Sequence, residues 1–274
     1  MIFTRREHLR ILSAAVSGAA LPAWAAGPDF NEYTDEEKEK FLKTGTIKSV
    51  EAISHGVTRP SRVVLVAGGV EHPAHFQTID KDLPDFFPRD GAPIPMKDSW
   101  KYNVAAYRLD RLLGLKMVPV AIPRPFEGKP AALSWWVDDV QFEEAVRIKK
   151  EVAPPDAEAF ARQRAIGAVF DELIINIDRN LSNLLITNAW KVTLIDHTRS
   201  FVAYHGIRNE ANLTRCSRGL LDAMKALTAA KVAGAMGPYL TKAEVAAVIA
   251  RRDRIADFFA REVKAKGEEK VLFS

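Results

Sequence analysis

Cysteine is nearly absent. Cys216 is the only one in 274 residues, so no intramolecular disulfide can staple the fold. Internal repeats are missing, and Gly and Pro stand at 15 each, which excludes collagen, solenoid arrays and low-complexity disorder. No Gly-x-Ser-x-Gly elbow marks a hydrolase nucleophile. A strong excess of one charge is also lacking. Residues 1–25 hold Arg5, Arg6 and Arg10 against only Glu7, and without them 36 basic and 34 acidic residues remain. A protein that binds nucleic acid by neutralising phosphates usually carries more positive charge than that, so no nucleic-acid partner is expected. What is present is ordinary globular material, 47% hydrophobic and 27% charged, long enough for one large domain or two lobes.

The first 25 residues read as an export address. Arg5-Arg6-Glu7-His8-Leu9-Arg10 is a basic stretch, Ile11 to Pro22 is a weakly apolar run, and Ala23-Trp24-Ala25 is a small-x-small cleavage site. That run is shorter than the roughly 20 apolar residues a membrane span needs. The paired arginines resemble a bacterial twin-arginine signal, with His8 where that pattern prefers Phe, and a Sec-type signal stays open. On either route the mature chain is expected in the periplasm or secreted, with no membrane span.

Beyond the signal the texture is first strand-rich and then helical. Thr34 to Glu37 has capping-box spacing and opens a short helix that stops near Gly45. Ile47–Ile53, Arg62–Val66 and Val70–Ile79 read as an antiparallel meander. The proline-rich stretch from Asp82 to Pro95 reads as a loop. A helix follows from about Ser99 to Leu113, then strands at Met117–Ile122 and Ala131–Val137. In the second half, Pro154-Pro155-Asp156 opens a long helix that carries an apolar stripe to Ile177. Leu184–Ile186 and Lys191–Ile195 form a hairpin, one helix spans about 218–232, and Thr241 with Glu244 starts another. His72 and His75, three apart on a strand, face opposite sides and so cannot share a metal.

The chemistry gathers in Asp178-Arg179-Asn180-Leu181-Ser182-Asn183 and in Leu194-Ile195-Asp196. A hairpin brings the strand led by Asn183 beside the strand closed by Asp196. An amide oxygen and a carboxylate then face one point, a donor set suited to Mg²⁺. Asp178 projects from the loop toward the same site, where it can orient or deprotonate a hydroxyl. Phosphoryl transfer divides its labour in this way. Taken singly, an Asp-Arg pair also serves as a helix cap and an asparagine as a turn residue. It is the three together, on helix, loop and hairpin, that point to a site.

These residues resemble the atypical kinases related to phosphatidylinositol 3-/4-kinases and HipA-like kinases, whose pattern is Asp-Arg-x-x-x-Asn followed by a hairpin ending in Ile-Asp. A weaker likeness covers Ala105 to Leu115 and Met117-Val118-Pro119, similar to the family's small-lobe helix and its next strand. The resemblance implies an α+β, two-lobed protein-kinase-like fold, with a small lobe over 26–140 and a helical lobe over 141–274. It implies a nucleotide such as ATP, with Mg²⁺ or Mn²⁺ on Asn183 and Asp196, Asp178 as the catalytic residue, and Val137 on the hinge-side strand over the base. It also implies a phosphoryl acceptor, whose identity the residues do not give.

The departures are as specific. The strand position where such sites carry a phosphate-binding lysine falls at or near Gln77, and the helix entry around Asn103 offers no glutamate to hold one. Arg59 in the first turn is then expected to touch phosphate, and Lys101, with Lys81 as second choice, to supply the missing cation. The readings left open are an exported kinase-like enzyme, a secreted pseudokinase that binds without turnover, and an exported protein whose kinase likeness is only fold deep.

Overall fold

The computed structural model describes residues 29–52, 61–88 and 91–274; the export segment and Arg59 lie outside them. Helix α1 (Asp35–Thr44) starts where the sequence places it. Thr34 accepts from the Glu37 backbone while the Glu37 side chain accepts from the Thr34 N–H, a complete capping box.

Strands β1 (Thr46–Ala52), β2 (Ser61–Ala67) and β3 (Val70–Gln77) form the expected meander. Gly68 and Gly69 both have positive φ, as a two-residue hairpin turn demands. With β7 (Ala132–Trp135) and β6 (Ala121–Pro123) they complete a five-stranded antiparallel sheet in the order β1-β2-β3-β7-β6. Helix α2 (Lys101–Leu112) contacts this sheet at β6 and β7. Alternation along β3 sends His72, Ala74 and Phe76 into the core. His72 stacks on Trp135 at 3.7 Å and pairs with Asp138 at 2.9 Å, while His75 faces the other way.

Among the described residues the proline-rich stretch is a loop only in its middle, between Phe86 and Ile94. β4 (Asp80–Phe86) and β5 (Ile94–Ser99) pair as a separate two-stranded ribbon. Its register slips between Leu83 and Phe86, so Pro84 and Pro95 fall in the irregular part of the ladder, where a missing N–H costs least.

The second half carries β8 (Val140–Glu143), α3 (Glu144–Lys149), α4 (Ala157–Ile174) and the β9 (Leu184–Thr187) and β10 (Val192–Leu194) hairpin. The hairpin adds to β8 in a three-stranded sheet. α4 ends at Ile174, before Ile177, because Ile175 turns left-handed at φ 46° and the Asn176 N–H closes back on Asp171. Asp178 therefore sits on a loop three residues beyond the helix cap. The helix read over 218–232 is two, α5 (Arg218–Lys225) and α6 (Ala229–Met236), since Thr228 caps a fresh start. α7 (Lys242–Lys266) runs through the lobe. β11 (Cys216–Ser217) pairs in parallel with β12 (Leu272–Phe273), which follows the short α8 (Glu268–Val271). One core runs from Leu65 and Phe76 through Leu109 and Leu133 to Phe170, Leu173 and Phe259, so the two lobes share their apolar interior.

Candidate active site

A cleft of about 760 Å³ opens between the inner face of the five-stranded sheet and the β9–β10 hairpin. Among its walls are Gln77, Val137, Asp178, Asn183 and Asp196, five residues singled out from the sequence. Val118, Ala121, Trp136, Val137, Leu185 and Ile195 give the lining its apolar part; Asp98, Glu143, Asp178, Asp196 and Arg199 give it charge.

The metal-ligand candidates are held by backbone geometry. Asn180 accepts from the N–H groups of Ser182 and Asn183, forming a single 3-10 turn that delivers Asn183 to the start of β9. The Ile195 N–H bonds the Asn183 carbonyl at 3.1 Å, which sets the end of the second strand against the start of the first. Arg179 then spans both. Its guanidinium donates to the carbonyls of Asn183 (2.8 Å) and Ile195 (2.6 Å) and lies on the Asp171 carboxylate at 2.9 and 3.1 Å. Asp196 itself has φ 53°, a conformation that costs a non-glycine residue energy and is typically kept where function needs it. Its carboxylate accepts from the Thr198 hydroxyl at 3.0 Å.

Asp178 is part-exposed at 45% and its N–H is turned by the Asn176 side chain. One of its oxygens accepts from Arg199 at 3.0 Å. Arg199 also donates to Asp98 at 2.8 Å, and this bond, with the nearby charges of Asp178 and Asp196, pushes the guanidinium pKa up. Both imidazoles in the cleft are pushed toward the neutral form. Burial drives His75 below its ordinary value, with Asp196 opposing, and burial together with the Arg179 charge takes His197 well below.

Gln77 lies at the end of β3, buried, with its carbonyl oxygen accepting from the Ile79 N–H at 2.9 Å. Asn103, on α2, accepts from the His197 N–H at 2.8 Å. A neutral amide thus stands at each place where a charged partner was sought. Lys101 is not brought to the cleft. Its ammonium sits 3.7 Å from Asp80, 42% exposed, because the first turn of α2 faces the β4–β5 ribbon. Lys81 is exposed on that ribbon, opposite Asp98 in register. The sequence reading passed over Arg199 and Asp98. The sequence offered only the nearness of Arg199 to Asp196, three residues on, and its place shows once Asp98 is set beside it.

Among the described residues no three His, Cys, Asp or Glu side chains gather as a ready metal cage. A Mg²⁺ or Mn²⁺ carried by phosphates asks less of the protein, one or two oxygen donors, and Asn183 with Asp196 fit that need.

Solved structures share this architecture. The Golgi casein kinase superposes with a TM-score of 0.58 at 12% identity, over 87% of this chain and 78% of that one. This chain has a kinase-like fold. The hydra Fam20 structure, solved with sugar, gives a TM-score of 0.62 at 15% identity over 87% of this chain and 91% of that one. The Golgi casein kinase with Mn/ADP bound gives 0.56 at 12% identity, over 88% and 79%. No protein-family model matches the sequence, and no curated protein matches it. At these identities the likeness is one of fold. The kinase-like lobes correspond to the strand-rich and helical halves expected from the sequence, and among the described residues no helix is long and apolar enough to cross a membrane.

Proposed function

We propose that the chain is an exported kinase-like phosphotransferase that binds ATP or another nucleotide with Mg²⁺ or Mn²⁺ in the cleft. The observation that carries this reading is that Asp178, Asn183 and Asp196 all line a single cleft. Asn183 and Asp196 would hold the metal, which supplies charge to the phosphate oxygens. The apolar lining, Val137 and Trp136 among it, suits a purine ring. Asp178 accepts the proton of the acceptor hydroxyl as that oxygen bonds to the terminal phosphorus and the bridging oxygen departs with the diphosphate. Arg59, beyond the described residues, would add a phosphate contact from the first turn. Lobes of 26–140 and 141–274 and a cleaved signal over 1–25 belong to the same reading. The acceptor is unidentified.

A second reading rests on Gln77 and Asn103. Two amides in place of an ammonium and a carboxylate favour a secreted pseudokinase that keeps the pocket as a binding module. Melting of the purified chain with a panel of nucleotides, each with Mg²⁺, Mn²⁺ or chelator, tests the site. At 100 times the dissociation constant, binding stabilises by about 2.7 kcal/mol, and Asp196→Ala should abolish the metal-dependent part. If no nucleotide moves the transition with either metal, the site is elsewhere. Transfer of labelled phosphate to an acceptor, or to the chain itself, separates the enzyme from the module.

A further inference from the structure

Among the described residues that line the cleft, four carry carboxylates, Asp98, Glu143, Asp178 and Asp196, and one carries a fixed positive charge, Arg199. Among the described residues lining the cleft, Arg199 is the one arginine or lysine, so a polyphosphate entering it meets that guanidinium. Its placement is over-determined. The Arg199 carbonyl accepts from the Ile177 N–H at 3.1 Å, and the neighbouring Thr198 carbonyl accepts from the Ser99 N–H at 2.8 Å. The guanidinium Nε is fixed by Asp98 Oδ2 at 2.8 Å, and Asp98 is 2% exposed with its other oxygen, Oδ1, lacking a hydrogen-bond partner. Nη1 donates to Asp178 at 3.0 Å, whereas Nη2 donates to no described residue. Asp98 thus holds one edge of the planar fork and leaves the other turned toward Asp178 and the cleft.

We propose that Arg199 is the cation that stabilises the phosphoryl group in transit, with Asp98 its positioning residue. This rests on the nucleotide reading above and assigns a residue within it. A strand lysine acts on the phosphates of the bound nucleotide, whereas Arg199 touches Asp178 and so stands on the acceptor's side of the reacting phosphorus. As the acceptor oxygen bonds to phosphorus and the diphosphate leaves, negative charge spreads over the three remaining oxygens of the transferred group. The acceptor proton passes to Asp178 in the same step, which neutralises that carboxylate and releases Nη1. Both terminal nitrogens are then free for the phosphoryl oxygens, at the moment when those oxygens carry most charge. A guanidinium suits this place, since its planar fork lies on Asp98 along one edge and presents its other nitrogens in a fixed direction.

The test compares Mg-ADP with Mg-ADP-aluminium fluoride, a planar mimic of the group in transit, by melting of the purified chain. Wild type should be stabilised more by the aluminium fluoride complex than by Mg-ADP alone. Arg199→Ala should lose that preference while keeping the Mg-ADP shift, and Asp98→Asn, which leaves Arg199 in place but unheld, should lose part of it. Where turnover is measured, Arg199→Ala should cost about 10²–10³-fold in kcat with little change in KM for nucleotide. Free guanidinium should restore part of the loss and urea none. An Arg199→Ala protein with the wild-type preference for the aluminium fluoride complex overturns the proposal and leaves the nucleotide site standing. Loss of the Mg-ADP shift along with the preference also overturns it, since Arg199 then serves binding or folding. A wild-type chain that Mg-ADP does not stabilise removes the underlying site instead.

Discussion

Arg179 and Asp171 form a two-bonded ion pair at 2.9 and 3.1 Å, each side chain only 13% exposed, and the same guanidinium holds the carbonyls of Asn183 and Ile195. Burial alone raises the Asp171 pKa, and the arginine works against it. Removing one partner leaves a buried charge without compensation, typically a loss of about 3–5 kcal/mol. Arg179→Ala is expected to lose stability on that scale in urea titration, and to lose metal-dependent nucleotide binding even at temperatures where it stays folded. Unchanged nucleotide binding in the folded variant would show that the pair supports the lobe and not the site.

Asp178 should separate turnover from binding. Asp178→Ala is expected to keep the metal-nucleotide melting shift while turnover falls by about 10²–10⁴-fold, the usual contribution of a general base. Its part-exposed position makes a folding defect a poor explanation of such a loss. Equal turnover in the two proteins would remove Asp178 from this role.

How much of this was readable in advance follows from how local the forces are. The capping boxes at Thr34 and Thr241 depend on four consecutive residues, and both form. The meander was legible because two adjacent glycines permit one kind of turn. The β4–β5 ribbon was not, since prolines argue against a strand unless the ladder slips beside them, and slippage is set by the partner strand. Asp178, Asn183 and Asp196 were legible from spacing on a loop and a hairpin. Arg199 was not, because its meaning comes from Asp98, 101 residues away. Lys101 was expected in the cleft from its helix entry, but which side of a helix turns inward is decided by the ribbon packed against it.

Cys216 should be chemically silent in the folded chain. It is fully buried, and burial pushes its thiol up to about 12, far from the thiolate that reacts with alkylating agents. Thiol titration is expected to show no reactive group in buffer and one in denaturant. Rapid labelling of the native chain would mean that β11 opens locally.

Arg251 is wholly buried in α7 and donates to the carbonyls of Leu173 and Val202 at 2.7 and 2.8 Å and to that of Tyr204. It ties α7 to the end of α4 and to the segment beyond Phe201. Arg251→Ala leaves a cavity and orphaned carbonyls, and each such buried acceptor costs about 1–3 kcal/mol. The expected result is a loss of several kcal/mol by urea titration, the largest of any arginine tested outside the cleft. A loss below 1 kcal/mol would contradict the staple.

The segment beside the hinge-side strand gives a pH dependence. Burial acts against the Asp138 carboxylate, but hydrogen bonds from His72 and the Trp135 indole hold its pKa below the ordinary value. A carboxylate so depressed adds stability that is present above about pH 3.9 and lost as pH falls through the folded-state pKa. Asp138→Asn should therefore melt below wild type at pH 7, with the gap closing as the pH is taken down below about 3.9. A gap independent of pH would place the effect in packing.

Three links join the small lobe to the turn after Asp196: Ser99 to Thr198, Asn103 to His197, and Asp98 to Arg199. In a protein whose equivalent segment must be ordered by a modification, most of the control lies in that ordering. Here the ordering is already built into neutral amides and a buried carboxylate. The loop that carries Asp196 is thus shaped from the small lobe, and a change at Asp98, Ser99 or Asn103 is passed straight to it.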